Sequence, residues 1–187
     1  MSHLRHNQMK QLIKSDKPAY GVSVQFPSPE IVEMIGELNF DWVMLDAEHG
    51  SITADNIGPM IMAAEIRGLT PIVRPENNDP AVINKYLDRG AMGVQVPHIN
   101  TADEARAVVN ACLYHPEGTR GLGGGRMADF GWGPPASEYV KTANKQMLVC
   151  VQIEDVTAVG NLDEILDVEN IDVFFVGPGD LSQELGY

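Results

Sequence analysis

Glu154 ends the apolar run Val151-Gln152-Ile153-Glu154, and Asp180 follows another in Phe174-Phe175-Val176-Gly177-Pro178-Gly179-Asp180. One helix-sized segment separates the two runs. If each run is a buried strand of a parallel sheet, both acids stand at the same edge, on neighbouring strands. Two convergent carboxylates with space for water suit a hard divalent cation such as Mg²⁺ or Mn²⁺. Each acid also has a plainer reading. An Asp after a strand is often a helix cap, and Asp180 could cap a helix starting at Leu181. Glu154 could pair with a surface Lys or Arg. Together they favour the metal, because strand alternation points Gln152 and Glu154 the same way.

The other unusual polar residues also follow apolar runs. They are Asp46-Ala47-Glu48-His49-Gly50, Arg74-Pro75 and Gly177-Pro178-Gly179-Asp180. The C-terminal ends of parallel strands carry the active sites of α/β folds. His49 alone could be an ordinary histidine, but beside Asp46 it has the acidic partner a general base needs. Arg74 could be structural; next to a metal, its permanently charged fork suits a developing oxyanion. His98, after the fourth run, is a further candidate with nothing nearby to support it. His3, His6 and His115 read as surface residues. None of the six lysines (Lys10, Lys14, Lys17, Lys85, Lys141, Lys145) falls at the C-terminal end of a strand. A Schiff-base aldolase needs one there. If this protein makes or breaks carbon–carbon bonds, a metal must serve as the electron sink.

The elements that position these groups alternate. Strands are expected at Ala19–Val24, Trp42–Leu45, Thr70–Arg74, Gly93–Val96, Met147–Ile153 and Val173–Val176. Helices are expected at Leu4–Ile13, Pro29–Leu38, Ala54–Arg67, Pro80–Arg89, Ala102–Leu113, Ala136–Asn144 and Ala158–Leu166. Thr101 followed by Glu104 forms a capping-box start. Continuous apolar strands alternating with helices indicate βαβ units and a parallel sheet covered on both faces. Six βα units fit in the 187 residues, whereas a closed (β/α)₈ barrel takes eight and roughly 250 residues. Residues 1–187 therefore read as a single domain about two units short of a barrel. Either the chain is truncated or the sheet is not closed. The segment Tyr114–Pro135, with seven glycines, breaks the rhythm and reads as a functional flap or a disordered connection. It lacks the strand and the Lys-Ser/Thr ending of a phosphate-binding loop.

A formal charge of −13 argues against non-specific nucleic-acid or anionic-membrane binding. No apolar stretch is long enough for a bilayer, and the N-terminus lacks the apolar core of a signal peptide. Cys112 and Cys150, the only cysteines, have no metal-ligand spacing. They read as buried reduced thiols of a cytoplasmic protein, with a disulfide as the weaker alternative.

The chain resembles the HpcH/HpaI aldolases, metal-dependent class II pyruvate aldolases on a (β/α)₈ barrel. The stretches that carry the likeness are Asp41–Gly50, Pro71–Pro75, Gly93–Pro97, Gly118–Gly121, Val151–Glu154 and Val176–Ser182. Asp-Ala-Glu-His-Gly and Gly-Pro-Gly-Asp-Leu-Ser are the specific motifs among them. The resemblance implies that Glu154 and Asp180 are the protein ligands of a divalent metal (Mg²⁺, Mn²⁺ or Co²⁺). Gln152 would contact substrate, and the amides of Gly179 and Asp180 would hold the pyruvate carboxylate. His49 would be the base, Arg74 the stabiliser of the enolate oxygen, and Asp46 and Asp88 the acids that tune or orient His49. The implied reaction is reversible cleavage of a 4-hydroxy-2-keto acid to pyruvate and an aldehyde, in a homo-oligomer (trimer or hexamer). Two other readings stand beside it. One is a CoA-thioester or phosphoenolpyruvate-type lyase of related barrel shape, for which no clear phosphate-binding surface is visible. The other is a non-catalytic barrel fragment.

Overall fold

The structure, a computed structural model, describes residues 5–187; Leu4 and His3 lie outside the described residues. Six strands form one parallel sheet: β1 (Gly21–Val24), β2 (Trp42–Asp46), β3 (Thr70–Arg74), β4 (Gly93–Val96), β5 (Leu148–Ile153) and β6 (Val173–Val176). They lie in sequence order, each hydrogen-bonded to the next. Helices connect them: α1 (Gln8–Lys14), α2 (Pro29–Glu37), α3 (Gly58–Ile66), α4 (Pro80–Asp88), α5 (Ala102–Cys112), α6 (Ala136–Gln146), α7 (Val156–Gly160), α8 (Leu162–Leu166) and α9 (Pro178–Glu184). β1 and β6 are the two edges of the sheet and do not pair with each other. The result is a curled half of a (β/α) barrel, the α/β architecture expected.

Local chemistry explains the element boundaries. Pro at the first turn starts α2, α3, α4 and α9, where its missing N–H costs nothing. Thr101 and Glu104 close the capping box of α5 in both directions. The helix expected from Ala54 begins only at Gly58, because Asn56 turns the chain back on itself: its side chain accepts from Thr53 N and donates to Ser51 O. The helix expected over Ala158–Leu166 is broken at Asn161, whose amide is committed to Asn100 O after the weak helix former Gly160.

Period-2 alternation divides the strand residues between two faces. Val43, Leu45, Val73, Val94, Val96, Val149, Val151 and Ile153 face the helices and pack with Val32, Ile61, Ile83, Leu87, Val108 and Ile165. The concave face is layered. Its lower layer is Met44, Ile72, Leu148 and Cys150, packed with Met9 of α1. α1 plugs this end of the half-barrel: Asn7 donates to Met92 O and Gln146 O, and Lys10 Nζ pairs with Asp172 at 2.8 Å. Two residues further along each strand the layer becomes polar, with Asp46, Arg74, Gln95 and Gln152.

The glycine-rich segment is folded at the edge opposite those polar residues. A 3₁₀ helix (Arg126–Gly131) packs Met127 against Tyr114 and Tyr139. Arg126 is pinned to Glu65, and Arg120 stacks over Tyr114 at 4.9 Å. Cys112 and Cys150 are free and buried, and burial pushes both thiols up to about 12. No helix among the described residues is long and apolar enough to cross a membrane.

Gly93 of β4 packs closely against the neighbouring strands. A Cβ there would stand 2.9 Å from both Leu148 Cβ and Leu148 O, and 3.0 Å from Ile72 Cγ2. Backbone cannot yield cheaply in the middle of a sheet. Gly93→Ala is expected to lower stability by about 1–3 kcal/mol, seen as a fall in the urea midpoint at unchanged slope.

Candidate active site

The deepest polar feature is an ion pair. Asp46 ends β2 with no exposed surface, and its register partner Arg74 ends β3. Arg74 Nε and Nη2 donate to Asp46 Oδ1 and Oδ2 at 2.9 and 2.5 Å. Asp46 also accepts from Gln25 Nε2 and from the backbone N–H groups of Glu48 and His49. Burial opposes the charge on Asp46, but these donors outweigh it and hold the carboxyl below its usual range. Asp46 is therefore spent on Arg74 and on the turn after β2. It meets the backbone of His49, not its ring, so the predicted Asp46–His49 ring pair does not form. The His49 ring is 55% exposed and lies 3.6 Å from Glu48 Oε2. Among the described residues, Nη1 is the Arg74 nitrogen left without a protein acceptor.

Glu154 follows β5, is 1% exposed and points with Gln152 into the concave face. A surface ion pair is excluded by that burial. Gln95 Nε2 donates to Gln152 Oε1 at 2.6 Å, and Gln152 Nε2 donates to Glu154 Oε2. The other Glu154 oxygen accepts from the backbone N–H of His98 at 2.8 Å. Gly177 makes this packing possible, since a Cβ there would lie 2.8 Å from Glu154 Cβ. Gln95 was missed by sequence reasoning. Its signal was a lone amide in the apolar strand β4, facing the same way as the other end-of-strand polar groups.

His98 overturns the expectation that nothing supports it. Its backbone is left-handed, with φ +53°, which costs a non-glycine residue about 1–2 kcal/mol. That turn aims the ring at three carboxylates. Nε2 lies 3.4 Å from Glu48 Oε1, and Nδ1 lies 3.4 Å from Glu154 Oε1 and 3.3 Å from Asp155 Oδ2. Burial disfavours the imidazolium, but Glu154, Asp155 and Glu48 together raise the His98 pKa. The Glu48 side chain is only 8% exposed. Burial pushes its carboxyl up, against the pull of Arg74 and His49. Glu48 Oε2 is buried and accepts no hydrogen bond, although Arg74 Nε stands 3.1 Å away. Glu48, His98 and Glu154 each present a ligand atom within 4.8 Å of the others.

The remaining predicted residues lie apart from this group. Asp180 sits exposed in the first turn of α9, one position after Gly179. The helix begins at Pro178 with no side-chain cap, so Asp180 is not a capping residue. Space around a Cβ at Gly179 is open. Asp88 ends α4, five residues before β4 starts at Gly93, and so belongs to the opposite edge of the sheet. There it pairs with Arg120 at 3.3 Å and does not meet His49. A cavity lined by Leu87, Met92, Arg120, Met127 and Tyr139 also lies at that edge and holds none of the groups at the strand C-termini.

The arrangement collects Asp46, Glu48, Glu154 and Asp155 around one guanidinium and two histidines. An unsatisfied buried carboxylate oxygen among oxygen and imidazole donors fits a divalent cation.

Comparison with known proteins places the chain in a family. The model of the HpcH/HpaI aldolase/citrate lyase family matches residues 20–187. A 4-hydroxy-2-oxo-heptane-1,7-dioate aldolase of Escherichia coli is 38% identical over 97% of this chain and 69% of its own length. A 2-keto-3-deoxy-L-rhamnonate aldolase, also of Escherichia coli, is 35% identical over the whole of this chain and 70% of its own length. The solved structure of an HpcH/HpaI aldolase from Desulfitobacterium hafniense superposes with a TM-score of 0.89 at 32% identity, covering 95% of this chain and 69% of that one. With a family model spanning residues 20–187 and relatives at 35–38% identity, the chain belongs to the HpcH/HpaI aldolase/citrate lyase family.

Proposed function

We propose that this protein is a divalent-metal-dependent aldolase that reversibly cleaves a 4-hydroxy-2-keto acid to pyruvate and an aldehyde. The observation that carries the reading is the packing of Glu154, Glu48 and His98 beside the Asp46–Arg74 pair, at the C-terminal edge of a parallel sheet. Two relatives named as aldolases of 2-keto acids support the substrate class.

Glu154 would hold the metal, with Asp180 approaching from α9. A divalent cation bound there would polarise a keto oxygen and take up charge as it develops. Arg74 offers Nη1 to the same developing oxyanion while Asp46 fixes its orientation. The half-exposed ring of His49 would take the proton from the C4 hydroxyl during cleavage and return it during condensation. Gln152, held by Gln95, would contact the substrate. The backbone amides of Gly179 and Asp180 would bind the carboxylate, and the open space beside Gly179 leaves room for it. We give Asp88 no role toward His49 of the same chain. The metal is taken as Mg²⁺, Mn²⁺ or Co²⁺. We read residues 1–187 as a single domain and the protein as a cytoplasmic homo-oligomer, trimeric or hexameric. Two free buried thiols accord with a reducing compartment, and a charge of −13 with the absence of nucleic-acid or membrane partners.

Pyruvate release from a panel of 4-hydroxy-2-keto acids is expected with Mg²⁺ or Mn²⁺ and is expected to vanish in EDTA. Glu154→Ala and Asp180→Ala are each expected to reduce it to background. Acyl-CoA cleavage without pyruvate release would instead select a thioester lyase. Arg74→Ala is expected to lower kcat about 10²- to 10³-fold. It should also cost about 3–5 kcal/mol of stability, because Asp46 is left charged, buried and unpaired. Adding Asp46→Asn to Arg74→Ala should recover part of that stability and none of the activity. Urea unfolding and steady-state kinetics on the same samples separate the two effects.

A further inference from the structure

Gln25 directly follows β1 and continues its alternation. Ser23 is the register partner of Met44 on the concave face, and Val24 that of Leu45 on the face toward the helices. Gln25 therefore stands on the concave face, level with Asp46. The residue is exposed, yet both its side chain and its backbone are held. Its Nε2 donates to Asp46 Oδ2 at 3.2 Å, and its carbonyl oxygen accepts from Ser51 N at 2.8 Å. Gly50 of the same turn passes so close that a Cβ there would lie 2.2 Å from Gln25 O. An exposed glutamine ordinarily turns freely, with either end of its amide outward. This one does not, because the Asp46 carboxylate accepts hydrogen bonds and donates none. Nε2 must face Asp46, so Oε1 faces away from it, toward the open mouth of the site. Among the described residues, Oε1 meets no donor.

We infer that Gln25 Oε1 receives a substrate hydroxyl beyond C4, and so selects hydroxylated 2-keto acids over those with an apolar or carboxylate-ended tail. This rests on the aldolase reading. Under that reading Glu154, after β5, and Arg74, on β3, engage the pyruvate half. Strand order then leaves the ends of β2 and β1 for the half that departs as the aldehyde. Asp46 offers that half nothing, since its oxygens are filled by Arg74, Gln25 and the amides of the turn. Gln25 offers one fixed acceptor. An amide oxygen takes a hydroxyl proton, gains nothing from a methylene group, and opposes a carboxylate, which has no proton to give. A site that aims an acceptor at a hydroxyl discriminates against the analogue lacking it.

The test is condensation of pyruvate with glyceraldehyde, propanal and succinic semialdehyde by the full chain, with Mg²⁺ or Mn²⁺ present. Propanal is glyceraldehyde without its hydroxyls, and succinic semialdehyde ends in a carboxylate. Ratios of kcat/KM between aldehydes isolate the contact, because loosening Asp46 and Arg74 slows every aldehyde alike. Wild type is expected to prefer glyceraldehyde. Gln25→Leu removes both ends of the amide, whereas Gln25→Lys keeps a donor for Asp46 and has no acceptor. Both variants are expected to lower the glyceraldehyde-to-propanal ratio by about three- to tenfold. The lysine variant is also expected to raise succinic semialdehyde relative to the other two. A wild type without preference, or a ratio that stays at the wild-type value in both variants, overturns the inference and leaves the aldolase reading standing. A ratio lost in Gln25→Leu and kept in Gln25→Lys assigns Gln25 to holding Asp46 alone, and overturns it as well. If folded wild type condenses none of the aldehydes, the aldolase reading and the inference fall together.

Discussion

The buried Asp46–Arg74 pair is the constraint around which the site is built. A carboxylate with no exposed surface is tolerated only when its lone pairs are filled and its charge is matched. Arg74 supplies the matching charge in a two-point contact, and Gln25 and two backbone amides supply the rest. Each partner does structural work as well. The Arg74 contact couples the ends of β2 and β3, which are register partners. The backbone contacts to Glu48 and His49 fold the turn that follows β2. Removing the pair would free the guanidinium and loosen the turn after β2 together.

Arg74 cannot neutralise everything near it. Asp46 takes its Nε and Nη2, and Glu48 lies beside Nε without receiving a hydrogen bond. Glu154 and Asp155 add two further carboxylates, offset only by histidine rings that are about half exposed. Crowding like charges in a partly buried site is costly, and the raised Glu48 carboxyl records part of that cost. A bound cation would remove it. On the proposed reading the same excess of negative charge would disfavour a second anion, so a keto acid would enter only where the metal, Arg74 Nη1 and open amides could receive it.

The strand-borne half of this chemistry was legible in the sequence, and the loop-borne half was not. Asp46, Arg74, Gln152 and Glu154 each end an apolar run, and alternation along a strand then dictates which way they face. The same regularity made the six strands and most helices readable. It fails where the backbone departs from an element. His98 stands two residues after β4, and only its left-handed turn brings it to Glu48 and Glu154; nothing in Val96-Pro97-His98-Ile99 announces a positive φ. Asp46 beside His49 looked like a dyad in sequence, yet register gave the carboxylate to Arg74. Asp88 was placed by resemblance alone, and its helix carries it to the opposite edge. The glycines of Tyr114–Pro135 read as a functional flap or a disordered connection, but Arg120 and Arg126 tie that segment down through Asp88 and Glu65.

This division between strand and loop has a functional logic. Asp46, Arg74, Gln95 and Gln152 are held by the sheet ladder and by one another, so the electrostatic field at the strand ends is rigid. Rigid, preorganised charge is what stabilises a developing oxyanion without reorganisation at the moment of reaction. His49, His98 and Asp180 sit on loops or on the first turn of a short helix, and all three are exposed or half-exposed. Loops tolerate substitution that strands do not. On the proposed reading, the charge that would support an enolate is carried by the ends of the strands, while His49 and Asp180 stand where the backbone can be re-aimed one residue at a time.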